Sequence, residues 1–168
     1  MTLARALIVS ALVSVAVGAG LVAPAAATIH RVPTAAAAPA AAAGSVFEDQ
    51  VMVAINAARV GSGLKPVRFF DTCVDRMATD WGNRIASTDV FAHRDPNEVL
   101  RKCHQTWAGE TLIRGEGLTP QAVVDAWLAS PPHRAVLLKA RASRAGLSVT
   151  VDPQGRQVGV LNFSDTRR

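Results

Sequence analysis

The sequence predicts an α+β domain in which helices cover a small antiparallel sheet. Three observations carry the prediction. Apolar residues recur at helical spacing through the earlier part of the folded region. Two β-rich runs close the chain around a Pro-and-Gly turn. The helical segments come first and the hairpin last, the order of an α+β chain.

The N-terminal region stands apart from the domain. "MTLAR" is a short basic start carrying Arg5, and "ALIVSALVSVAVGAGLVA" is an uncharged apolar run. The small residues Ala25-Ala26-Ala27 before Thr28 then supply an A-x-A cleavage site, so residues 1–27 read as a secretory signal peptide. The rival reading is a retained membrane anchor across Ala6 to Ala23, which is marginally long enough to span a bilayer. Residues 28–44, "TIHRVPTAAAAPAAAAG", are dominated by Ala and Pro and read as a linker with helical potential across Ala41 to Ala43. His30 lies in this linker, outside any expected site.

The folded domain is expected over residues 45–168. Ser45 with Glu48 three positions later forms a capping box, in which each side chain satisfies the other's backbone donor. Phe47, Val51, Ala54, Ile55 and Ala58 then recur on one helix face, and Gly61 and Gly63 supply the stop. "LKPV" is extended, fixed by Pro66. Asp71 or Thr72 caps a second helix whose apolar face is Val74, Met77, Ala78, Trp81 and Ile85. From Ser87 to Leu118 the periodicity dissolves into a 32-residue connection, and connections that long are usually functional or cross-linked. Thr119 and Pro120 open a third helix, with Pro at the first helical position. Its inward residues are Val123, Val124, Trp127 and Leu128; Pro131-Pro132 ends it, and "HRAVLLKA" continues as a short helical segment. "AGLSVTV", the turn "DPQG" and "RQVGVLNFS" make the C-terminal hairpin. Trp81, Trp107, Trp127, Phe47, Phe69, Phe70, Phe91 and Phe163 are available to fill the core.

Formal net charge is +5, and close to +4 once Arg5 is removed with the signal. The basic residues are dispersed among acidic ones, apart from Arg167-Arg168. That balance allows a mild attraction to an anionic cell surface or wall polymer and gives no nucleic-acid footprint. Cys73 and Cys103 allow one intramolecular pairing, which an oxidising compartment favours. Metal ligation is the alternative, but neither cysteine has a Cys or His at CxxC-type spacing, and His104 merely follows Cys103 in sequence.

The stretch "WLASPPHRAVLL" poses the functional question. His133 stands at a break between two helical segments, either as a surface residue at a helix start or as one wall of a site. His93, in "VFAHRDP", also sits at a break, and Glu110 lies in "WAGET", where Gly109 lets the backbone approach a neighbour closely. Two imidazoles and a carboxylate facing one cleft suit zinc or another divalent metal with an open position, or acid–base work near neutral pH. The separations of 17 and 23 residues form no local metal motif, and Glu116 is an alternative to Glu110.

The ordered blocks "NAARVGSGLKPV", "MATDWGNRIA", "FAHRD", "AGETL", "TPQAVVDAWLASPPHR" and "AGLSVTV…GVLNF" resemble a CAP domain over nearly all of residues 47–163. That superfamily comprises cysteine-rich secretory proteins, antigen five and pathogenesis-related group-one proteins, and the resemblance is nearest to its compact bacterial members. It implies an α-β-α sandwich with a cleft lined by His93, Glu110 and His133. It also implies divalent metal binding there, and sterol or lipid binding elsewhere in some members. Larger members carry a second cleft glutamate where this chain has Ser130, and many have Asn where it has Thr111.

The expected function is that of a secreted binding or regulatory protein acting at or outside the cell envelope. Its expected partner is an envelope component, protein or lipid, with membrane association only if the signal segment is retained. The alternatives are a metal-assisted hydrolase using Glu110 as base, or a lipid- or sterol-binding protein. No G-x-S-x-G nucleophile setting is present, and the sequence assigns no catalytic residue.

Overall fold

A computed structural model describes residues 40–167. The expected signal peptide and most of the expected linker lie outside the described residues, as do Ala6–Ala23. Among the described residues no helix is long and apolar enough to cross a membrane.

The chain order is α1 (Ala40–Gly61), β1 (Phe69–Phe70), α2 (Thr72–Thr88), α3 (Pro96–Lys102), β2 (Trp107–Gly115), α4 (Pro120–Ala129), α5 (Pro131–Leu137), β3 (Arg144–Val151) and β4 (Gln157–Asp165). The sheet runs β1-β3-β4-β2. Its β2–β4 and β3–β4 pairs are antiparallel, but the two residues of β1 pair parallel to β3, so the sheet is mixed where a purely antiparallel one was expected. The C-terminal hairpin of β3 and β4 forms as expected, and β4, central in the sheet, is buried along almost its whole length.

Alternation along the strands divides the helices into two layers. Leu147, Leu161 and Phe163 pack with α1, α4 and α5 around Trp127. Leu112, Val158 and Val160 point the other way, onto Ala78 and Ile85 of α2. A further cluster joins Val74 and Met77 of α2 to Val99 of α3 and to Cys103. The chain is thus an α+β fold, with helices on both sides of the sheet. At Gly146 the α2 backbone crosses so closely that an added Cβ would lie 2.3 Å from the Asp75 amide nitrogen. Only glycine permits that approach.

Several sequence expectations need correction. The first helix begins at Ala40, so residues 40–44 of the expected linker belong to α1 and Ser45 lies inside the helix instead of capping it. The Glu48 carboxylate accepts from the Val149 amide at 2.7 Å, and Asp75 accepts from the Leu147 amide at 3.2 Å. These two helix carboxylates serve the β3 amides beyond the short β1, on a margin that would otherwise be an open strand edge. Burial raises the Glu48 pKa, against the pull of the Val149 amide.

The long connection is also more structured than its pattern indicates. It holds α3, capped by the Asp95 carboxylate with Pro96 at the helix start, and the nine-residue β2. β2 alternates weakly in sequence because it is an edge strand between two helical layers, and its side chains are mostly half-buried. The diproline does not simply end α4. Ser130 closes α4 and opens α5, and the prolines occupy the first turn of α5, where a missing N–H costs nothing.

Of the aromatic residues expected to fill the core, Trp127 and Phe163 do so, whereas Phe69, Phe70 and Phe91 are exposed. Arg59 takes an interior place instead. It is fully buried, and its guanidinium donates to the carbonyls of Leu137 at 2.5 Å, Lys139 at 3.1 Å and Lys65 at 3.1 Å. Charged hydrogen bonds to the C-terminal end of α5 offset the desolvation of the cation.

Candidate functional site

The site lies where both helical layers reach the free edge of β2. Register places Glu110 opposite Asn162 of β4 and Leu112 opposite Val160, so Glu110 belongs to the face covered by α2 and α3. His93 arrives from the segment between α2 and α3. Its start is set by Asp89, which closes α2 in the left-handed conformation (φ 57°), and the Trp81 indole N–H holds the Ala92 carbonyl at 3.0 Å. His133 arrives from the other layer, in the first turn of α5. Gly109 makes room for that helix, since a Cβ there would stand 3.0 Å from both the Trp107 ring and Val136.

Glu110 Oε1 lies 2.8 Å from His93 Nδ1 and accepts the Arg94 backbone N–H at 3.1 Å. With the carboxylate ionised, Nδ1 carries the proton, and the Nε2 lone pair is left for another partner. The Glu110 side chain is only 9% exposed, against 56% for His93. Burial raises the Glu110 pKa, and the hydrogen bonds from His93 and the Arg94 amide counter part of that rise. The His133 ring lies 6.1 Å from the His93 ring, centroid to centroid, tilted by 56°. Partial burial lowers the His133 pKa, and the neighbouring His93 adds to the effect.

The structure therefore brings together His93, Glu110 and His133. Ser130 stands at the α4–α5 junction, where it makes no side-chain cap to α5; its carbonyl accepts the Arg134 N–H at 2.8 Å. The alternative carboxylate, Glu116, is exposed at the far end of β2 and is not part of the cluster. Thr111 is fully buried on β2, next to Glu110. Among the described residues no group of three or more His, Cys, Asp and Glu side chains is arranged to hold a metal ion.

Sequence reasoning missed two neighbours. Asn162 is 1% exposed, and its Nδ2 has no hydrogen-bond partner; Glu110 Oε2 and Arg94 Nε share that condition. These three residues line one cavity of about 10 Å³, close to the space one water molecule needs. A lone amide inside "VGVLNF" is the sequence signal for Asn162, because a polar side chain in a central strand requires a polar partner.

Cys73 and Cys103 form the expected disulfide, with Cα atoms 5.6 Å apart. It ties the start of α2 to the end of α3, and so closes a loop that contains both helices and the segment carrying His93 between them.

Residues 52–163 match the model of the cysteine-rich secretory protein family, CAP, and this chain belongs to that family. It is 27% identical over 128 residues to the Bacillus subtilis protein YkwD, covering 72% of this chain and 48% of YkwD. The chain thus spans about half the length of that relative. Among solved structures it resembles an outer surface protein of Borrelia burgdorferi, with a TM-score of 0.63 and 18% identity over 71% of this chain and 92% of the other. It also resembles an extracellular SCP-domain protein of Bacillus anthracis, with a TM-score of 0.59 and 22% identity over 73% of this chain and 41% of the other. At these identities the structural likenesses speak for the fold.

Proposed function

We propose that this CAP-family chain is an exported binding or regulatory protein, acting at or outside the cell envelope, whose cleft binds a divalent metal through His93 and His133. The observation that carries the reading is the imidazole pair, with Glu110 holding His93 by its Nδ1. A metal-bound histidine characteristically donates its other ring N–H to a carboxylate, which fixes the ring and raises its basicity. With metal–nitrogen bonds of about 2 Å, two imidazoles on one ion place their centroids roughly 5–6 Å apart, and the observed 6.1 Å needs only a small ring adjustment. Burial already favours neutral His133, the form that ligates.

Two protein nitrogens leave the remaining coordination positions to water or to a bound partner. In this reading Glu110 orients His93 and does not itself take a position on the ion. A bound divalent ion would supply Lewis acidity at that open position. The chain's own contribution is to hold the rings and to keep a buried carboxylate beside them. The apolar N-terminal run with its small-residue cleavage site supports export, and the net positive charge supports an anionic envelope partner.

Calorimetric titration of zinc into the oxidised protein tests the reading. One saturable ion per chain is expected, lost in the His93→Ala/His133→Ala double variant. Glu110→Gln should weaken binding about 10- to 100-fold. Absence of saturable binding, or binding that the double substitution leaves unchanged, would remove the metal from the proposal.

A further inference from the structure

A groove of about 990 Å³ runs along α2 and is closed on its other side by Arg94, Glu98 and Lys102. Neither His93 nor His133 lines it, so it is distinct from the imidazole cleft. Four cations, Arg76, Arg84, Arg94 and Lys102, face two carboxylates, Asp80 and Glu98. Glu98 is already shared, 3.4 Å from the Lys102 ammonium and 3.6 Å from Arg94 Nε. Arg76 makes no ion pair among the described residues.

Arg94 is the distinctive element. Its side chain is 7% exposed, and its guanidinium lies over the Trp81 ring at 5.0 Å. Its Nε is buried on the side of the small cavity shared with Glu110 and Asn162, and Glu98 stands 3.6 Å from it. Four cations against two carboxylates leave the groove with an excess of positive charge, which an anionic group entering it would offset. Arg84 also lies over Trp81, at 5.6 Å, so the indole is set among cations.

The spacing indicates an extended ligand. Arg76 and Arg84 are eight residues apart on one helix, about 12 Å along its axis. The form of the walls indicates which extended ligand. Helix backbones spend their hydrogen bonds internally, so the groove has no strand edge to which a peptide could add. It offers side-chain groups instead, including the Trp81 ring and the Asn83 amide. Those groups suit hydroxyl-rich rings, and the arginine forks suit carboxylates.

We propose that this groove binds an acidic glycan, a chain of sugar rings bearing carboxylates, with its acidic groups on Arg76, Arg84 and Arg94 and a ring beside Trp81. The proposal names a partner class for the envelope-facing reading, and it does not depend on the cleft holding a metal. The test is calorimetric titration of metal-free, oxidised protein with an oligogalacturonate of defined length. Parallel titrations use a neutral glucose oligomer and polyglutamate.

Saturable binding of the oligogalacturonate alone is expected. Arg76→Gln/Arg84→Gln should weaken it more than tenfold at an unchanged melting temperature. The charge-matched pair Arg68→Gln/Lys139→Gln, outside the groove, should weaken it less than twofold. Four outcomes would overturn the proposal: no saturable binding, equal binding of the neutral oligomer, tighter binding of polyglutamate, or an equal loss in both double variants. The third would make the groove a site for acidic peptide, and the fourth would reduce the effect to overall charge. None of them bears on the zinc titration, so the two readings fail independently.

Discussion

On one face of the sheet, α1, α4 and α5 bury a single large cluster around Trp127 and Phe163. On the other face, α2 and α3 bury two smaller clusters and add the Cys73–Cys103 disulfide. The second face also carries the polar groove and two of the three residues of the imidazole cleft. Apolar area and chemistry are therefore divided between the layers. A helix whose outer side is lined with Arg76, Asp80 and Arg84 keeps only part of its surface for burial, and a covalent tie makes up the difference.

The largest expected effect tests the well-packed face. Trp127 is 1% exposed, and its indole N–H donates to the Leu112 carbonyl at 3.0 Å, so it also anchors α4 to β2. Trp127→Ala should cost about 3–5 kcal/mol in denaturant unfolding. A loss below about 1 kcal/mol would mean that this layer does not carry the stability assigned to it. The next effect tests the other face. Cys73→Ser/Cys103→Ser removes a bridge across a sequence separation of 30 residues, for which loop closure predicts a loss of roughly 3–4 kcal/mol. Because the loop that the bridge closes contains the His93 segment and α3, amide exchange between residues 89 and 103 should accelerate more than exchange in α1 or α4. Uniform acceleration would contradict the division between the layers.

The smallest effect concerns the C-terminal end of β4. Burial would raise the Asp165 pKa, but the Ser143 hydroxyl and the Arg167 side chain outweigh it and bring the group to about 2. The folded pKa lies below the unfolded value of 3.8, so the stabilisation is complete above pH 4 and is lost as pH falls towards 2. Asp165→Asn should be less stable than the parent at pH 7, with the gap closing between pH 4 and 2. A gap that does not change with pH would assign the group a purely steric role.

Much of this architecture was legible in the residues. Asp71, Thr119 and Pro120 mark helix starts that the structure reproduces, and the "DPQG" turn marks the hairpin. Legibility failed where a local signal met a tertiary competitor. Glu48 satisfies the capping-box pattern but serves the Val149 amide of a strand far away in sequence. The segment between Ser87 and Leu118 looked unstructured because β2 is an edge strand, whose half-buried residues give no clean alternation. Arg59 carries no local signal for burial, and only the approach of the α5 C-terminus explains its interior place.

By itself the sequence determined the α+β class, the cysteine pairing and the residue types His93, Glu110 and His133 as candidates for one cleft. Local rules suffice there, because caps, turns and periodicity act within a few residues, and two cysteines leave one pairing. Only the tertiary structure decided that the two histidines come from opposite layers and meet over the edge of β2. It also decided that Glu110 engages His93 directly, and that Asn162 and Arg94 close the pocket behind it. The physical reason is strand register. A shift of one residue in β2 against β4 would turn Glu110 to the other face of the sheet, and register is set by packing across the whole sheet rather than by the residues of the site.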